Sequence, residues 1–247
     1  MKKRIIIAGA LILCLWPVIT FAAKIGTGTL SIDASSPDQA MLLPGWGWID
    51  VRTDYDATYT INGHQYSSEA YCAQATISPS GTEPYDFWAI DDNLNGKTEI
   101  HYDRYIAATW LAQWGFDKTD KDKGIAQIAI WEVLFESGDN YDLFTGDVQS
   151  YDYWWEEQLA SSANYLLKND FKAALENGTY DDYTSLWLLA VNPINQEQID
   201  PRDPKIDPLK KYQNYLVRNP NPVPIPGALW VFGMGLIGIR RIVKRFS

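Results

Sequence analysis

Cys72 and Gln127 are the residues of this sequence whose types and settings ask for chemistry. The chain has two cysteines, and Cys14 sits inside an apolar leader-like segment, so an exported body keeps Cys72 alone. A lone cysteine in an oxidising compartment has no internal disulfide partner, and an exposed one is oxidised or pairs between chains. Cys72 is therefore expected to be buried and inert, or committed to other chemistry. Gln127 lies in the run Ala126-Gln127-Ile128-Ala129-Ile130-Trp131-Glu132. At helical spacing it shares a face with Ile128, Trp131 and Phe135, the face that turns to a core. A buried amide must be satisfied. One solution bonds it to backbone. Another removes it: a nearby thiolate attacks the carboxamide carbon, ammonia leaves, and an internal thioester remains.

The elements that must position these residues change period along the chain. Residues 29–33, 46–51 and 58–61 read as strands, and Asn62-Gly63 after the third is a hairpin signal. Strand character continues to Cys72 and returns at residues 87–90. Asp103 can cap a helix running to Trp114, with Gly115 as its stop; Asp120 or Asp122 can start a second helix through Phe135. Further helices are expected over residues 151–167 and 171–175, and a strand over 185–191. Strands, a helical insert and strands again predict an α+β domain, a β-sandwich or barrel-like sheet with inserted helices, over residues 24–191. Residues 192–222, polar and rich in proline, predict an irregular linker.

Aromatic-Cys-hydrophobic at Tyr71-Cys72-Ala73 and Gln-x-x-hydrophobic-Trp at Gln127 to Trp131 resemble the motifs of bacterial surface thioester domains. The likeness spans about residues 58–191, including the Ala-Ala-Thr-Trp-Leu-Ala segment from Ala107 to Ala112. It implies that Cys72 and Gln127 are the cross-linked pair, that Tyr71 and Trp131 wall the site, and that the product is a covalent tether to amines. Ala73-Gln74 departs from the pattern, in which an acidic residue commonly follows the cysteine.

Other constellations point less sharply. Asp91-Asp92-Asn93-Leu94-Asn95-Gly96 opens like a calcium loop, but Tyr102 stands where a bidentate glutamate belongs, so a polar turn is expected. His64 and His101 are the only histidines and neither has a partner at zinc spacing. No nucleophile-elbow motif accompanies them. The reading therefore names no metal ligand, cofactor or catalytic residue, and a non-enzyme is expected. Trp46-Gly47-Trp48 and Trp154-Trp155 could stack on sugars, although core packing explains aromatic residues more often. An exported glycosidase using paired carboxylates ranks below both a thioester protein and a non-covalent structural or carbohydrate-binding matrix protein.

The termini bear on destination. Lys2-Lys3-Arg4, an apolar stretch to Ile19 and Thr20-Phe21-Ala22-Ala23 form a secretory signal peptide over residues 1–23. Residues 223–247 hold Val223-Pro224-Ile225-Pro226, an apolar run from Ala228 to Ile239, then Arg240, Arg241, Lys244 and Arg245. That run, as a helix, spans about 18 Å against a hydrocarbon core of about 30 Å, so this short transmembrane segment is a marginal anchor. Its basic end would face the cytoplasm. Order and composition resemble the PEP-CTERM sorting signal of Gram-negative bacteria, with Ile225 where a glutamate is usual. The resemblance implies an exosortase-type processing enzyme as partner, transit through the inner membrane, and delivery to the cell surface or extracellular matrix. Removing three leader cations and four tail cations from a formal charge of −10 leaves −17 on the body, which repels phosphate backbones and argues against nucleic acid.

Overall fold

The computed structural model describes residues 24–43, 47–73, 81–90, 102–138, 141–152, 158–193 and 214–222, with side chains undescribed at 35–38, 48–54 and 102. The expected signal peptide and sorting tail, the Asp91–Gly96 turn, His101 and the Trp154-Trp155 pair lie outside the described residues. Among those described, no helix is long and apolar enough to cross a membrane.

The fold is mixed, with six antiparallel strands closing into a barrel and helices packed on one side. Strands β1 (Lys24–Leu43), β2 (Gly47–Ile61) and β3 (His64–Cys72) form a meander. The β2–β3 turn is made by Asn62 at φ 52° and Gly63 at φ 84°, so both central positions are left-handed, as the Asn-Gly signal requires. The other strands are β4 (Thr82–Ala89), β5 (Gln149–Ser150), β6 (Trp187–Val191) and β7 (Tyr215–Arg218). Pairing runs β2-β3-β7-β6-β4-β1, and β1 pairs back to β2, which leaves this ring without an open edge. The short β5 adds to the far end of β1, past a register break between Ser35 and Asp38. Gly28 permits the β1–β2 approach, because a Cβ there would stand 1.7 Å from the Thr60 carbonyl oxygen.

Alternation decides what fills the barrel. Tyr55, Ala57, Tyr59 and Ile61 of β2 are buried, whereas Asp56 and Thr58 between them are exposed. Tyr55, Tyr85 and Tyr215 meet edge to face, and Tyr59 lies 5.7 Å from Phe87, so the interior is largely aromatic. β7 falls inside the stretch read from sequence as an irregular linker. Its Tyr-Leu-Val core is buried between β3 and β6, and pairing on both sides overrides the polar, proline-rich flanks.

The helical layer comprises α1 (Tyr102–Gly115), α2 (Asp120–Phe135), α3 (Leu159–Leu166), a π-helical turn (Leu167–Phe171) and α4 (Lys172–Asn177). Thr119 caps α2, its hydroxyl oxygen accepting from the Asp122 N–H, so the helix starts at Asp120 as expected. Residues 151 and 152, expected to be helical, are not; the Asp152 carboxylate instead accepts the N–H groups of Ala160 and Ser161 and caps α3 from a distance. Gly115 is not the left-handed stop expected of it. Asp117 takes that conformation, at φ 56°. Gly115 serves a close contact, since a Cβ there would lie 2.5 Å from the Tyr71 hydroxyl and 2.7 Å from the Ala126 Cβ. Twelve consecutive residues of α2, Gly124 to Phe135, are buried. From Gly124 on the helix has no solvent face, because the barrel covers one side and α1 with α3 the others; the single apolar stripe read from sequence is too narrow a description.

Candidate functional site

Cys72 is the last residue of β3, where the sheet changes partners. The β2 ladder ends at the pair Tyr55 and Ala70, while pairing with β7 continues through Cys72 and Tyr215. The next residue, Ala73, donates its N–H to the Asn214 carbonyl on the β7 side, at 2.8 Å. Backbone groups of successive strand residues face opposite edges, so those of Cys72 face the edge that β2 has left. The carboxamide of Gln127 fills that edge. Gln127 Oε1 accepts the Cys72 N–H at 2.6 Å, and Gln127 Nε2 donates to the Cys72 carbonyl oxygen at 2.9 Å. The side chain thus continues the sheet for one residue. Both residues are wholly buried. The carboxamide carbon, one C=O bond beyond Oε1, lies within about 3.8 Å of the Cys72 nitrogen.

Local structure explains how a helix brings an amide to a strand end. Gly115 and Ala126 let α1 and α2 approach closely, and Gly115 also receives the Tyr71 hydroxyl, so the α1–α2 junction is seated on the residue before Cys72. Gln127 follows Ala126 directly. Register puts Cys72 in one lateral row with Tyr215, Ala190 and Phe87, the row that faces the barrel interior.

The two expected wall residues occupy different places. Tyr71 points to the opposite sheet face from Cys72, as strand alternation requires, and meets Trp187 edge to face at 5.6 Å. It bounds the helix side of the site. Trp131 is buried one turn along α2 from Gln127, and its indole N–H has no hydrogen-bond partner among the described residues. On the Tyr71 side, the Arg218 guanidinium lies 4.3 Å from the Phe116 ring centre and donates to Gln113 Oε1. Burial lowers the Arg218 pKa from its usual value and raises that of Glu69, which pairs with Lys123 at 3.4 Å.

A second buried polar group sits at the other end of α2. The Glu136 carboxylate accepts four backbone N–H groups, from Ser137, Gly138, Asp147 and Val148, and so folds the loop after α2 around itself. One turn earlier, wholly buried Glu132 accepts the Asp142 N–H at 2.8 Å. Burial first, then the neighbouring Glu136, push its pKa from 4.5 up to about 8. Neither carboxylate stands out as a site residue in the sequence, because two glutamates four positions apart are too common a spacing to mark one.

The sequence reading also missed Asn214 and Tyr215, which complete the strand row beside Cys72. The short apolar run Tyr215-Leu216-Val217 was the available signal. His64 is exposed at the β3 start, and no group of three metal-ligating side chains occurs among the described residues. Comparison of the chain with protein-family models, with curated proteins and with solved structures found no match.

Proposed function

We propose that this chain is an exported surface or matrix protein whose body carries a Cys72–Gln127 thioester and captures amines covalently. The observation that carries the reading is the reciprocal hydrogen bonding of a buried glutamine carboxamide to the backbone of the body's lone cysteine, 55 residues away. That contact holds the electrophilic carbon beside the residue bearing the nucleophile. The Cys72 N–H on Oε1 polarises the carbonyl and stabilises the oxyanion formed on attack. In thioester formation, Sγ bonds to the Gln127 carboxamide carbon, the C–N bond breaks, and the thiol proton leaves with the amine as ammonia. In capture, a primary amine attacks the same carbon, the C–S bond breaks, and Cys72 regains its proton. An isopeptide bond remains, so the protein acts once and does not turn over. The amine carrier is a surface protein or an amine-bearing polysaccharide.

The sorting part of the proposal rests on the end segments: a signal peptide over residues 1–23, and Val223, Pro224, Pro226, Arg240 and Arg241 as the marks of a tail read by an exosortase-type enzyme. A transient inner-membrane anchor then precedes release to the cell surface or matrix.

The second reading is a structural or carbohydrate-binding matrix protein without the bond. It is favoured by the same hydrogen bonds, because both polar atoms of the amide already have backbone partners. Peptide mass separates the two. A thioester protein is lighter by one ammonia, and methylamine adds to the peptide containing Gln127. An intact mass equal to the residue sum, with unmodified glutamine at position 127 and one thiol labelled on unfolding, would sink the thioester.

A further inference from the structure

The helical layer holds a cleft of about 390 Å³ between the end of α1, the start of α2 and the α3–π segment. That volume falls within the range of about 300–1,000 Å³ typical of small-ligand clefts. We propose that it binds a neutral saccharide.

Three features select the ligand. First, the lining alternates apolar and hydrogen-bonding surface as a sugar ring does: Tyr165 and Ile125 supply apolar surface, while Ser161, Ser162, Asp122 and Asp170 supply hydroxyls and carboxylates. Tyr165 is 67 % exposed, the most exposed large hydrophobic side chain described, so its ring is accessible for stacking. Second, neither Asp122 nor Asp170 is in an ion pair among the described residues, whereas Asp86, Asp120 and Asp142 are each paired with a lysine. Carboxylate oxygens without a cation accept sugar hydroxyls strongly and repel uronates and sulfated chains, as does the acidic body. Third, the Trp114 ring already carries the Lys118 ammonium 3.6 Å from its centre. A cationic peptide would have to displace that contact; a sugar packed on Tyr165 and Ile125 would not.

The test is affinity electrophoresis of the intact protein in gels containing soluble neutral polysaccharides (xyloglucan, galactomannan, dextran and a mixed-linkage β-glucan), with polygalacturonate and polylysine as charged counterparts. Retardation is expected in at least one neutral gel, with Tyr165→Ala and Asp170→Asn each weakening it at least tenfold. Phe144→Ala, an exposed aromatic elsewhere, should leave it unchanged, and so should Cys72→Ser, which removes any thioester. Melting curves confirm that each variant is folded. Lack of retardation in every neutral gel, retardation insensitive to Tyr165 and Asp170, or a response confined to polylysine or polygalacturonate would overturn the proposal.

Discussion

Removing one partner of the Cys72–Gln127 contact has consequences that differ by partner. Gln127→Ala strands the Cys72 N–H and carbonyl in a dry site, and unmet buried groups cost about 1–3 kcal/mol each. Without a thioester a loss of about 2–6 kcal/mol is expected, read as a lower denaturation midpoint at unchanged m-value. Cys72→Ala leaves both backbone bonds intact. Without a thioester it should cost about 1 kcal/mol, a typical value for a point change. With one, closing a loop of 55 residues adds about 4 kcal/mol on the chain-entropy account developed for disulfides. Gln127→Ala would lose that closure too, so the size of the Cys72→Ala loss in a denaturant series, about 1 or about 5 kcal/mol, reports on the bond independently of mass. A Cys72→Ala loss near 1 kcal/mol would speak for a satisfied core amide.

At the scale of elements, α2 and the loop after it are joined by buried carboxylates. Glu132 faces Glu136 just past the end of its helix, Asp142 on the loop and Arg104 on α1, whose guanidinium also donates to the carbonyls of Val133 and Gly138. Because folding raises the Glu132 pKa from 4.5 to about 8, the folded state holds its proton more tightly than the unfolded chain. Its contribution is fully present below about pH 4.5 and is lost as pH rises to about 8. Glu132→Gln, which keeps the shape and stays neutral, should flatten that decline and raise the melting temperature at pH 8 by several degrees. A melting series with identical slopes for both proteins would refute the assignment. In the same loop Gly146 has φ 111°, and a Cβ there would stand 2.4 Å from Glu136 Oε2. Gly146→Ala should destabilise by about 1–3 kcal/mol, and hydrogen exchange should localise the loosening to the Asp147 and Val148 amides.

For the whole molecule, the barrel closes only through β7, which lies near the end of the body. β7 bridges β3 and β6, and the Tyr59 hydroxyl inside the barrel donates to the Arg218 carbonyl. A chain ending after residue 222 keeps that bridge and should melt like the longer protein. One ending at residue 213 exposes the edges of β3 and β6 and removes the strand row beside Cys72. It should lose its cooperative transition, as circular dichroism would show. The proline motif at Val223 to Pro226 follows β7 in sequence, so the exosortase cut proposed above would leave the barrel strands in the mature protein. Mature surface protein is accordingly expected to lack Arg240 and Arg241; a purified protein with its C-terminus intact would argue for a plain anchor.

Features set by a few neighbouring residues were readable without coordinates. The Asn62-Gly63 hairpin follows from which residues tolerate positive φ, and the end of α2 at Phe135 follows from an unbroken helical run, whereas its start stays open between Asp120 and Asp122 in the sequence and is fixed by the Thr119 cap. Cys72 and Gln127 could be singled out because a lone thiol and a core amide each demand an explanation by type alone. What the amide bonds to was not readable. That depends on β2 leaving the edge of β3 at Ala70, two residues before Cys72, on Gly115 letting α2 close in, and on β7 arriving from more than a hundred residues away to hold the other edge. Strand pairing and helix approach are selected by the packing of the whole barrel, and no local pattern encodes them. The same holds for Tyr71 and Gly115: one reads as a wall of the thiol and the other as a helix stop, yet on the opposite face of β3 they form a single contact that seats the helices.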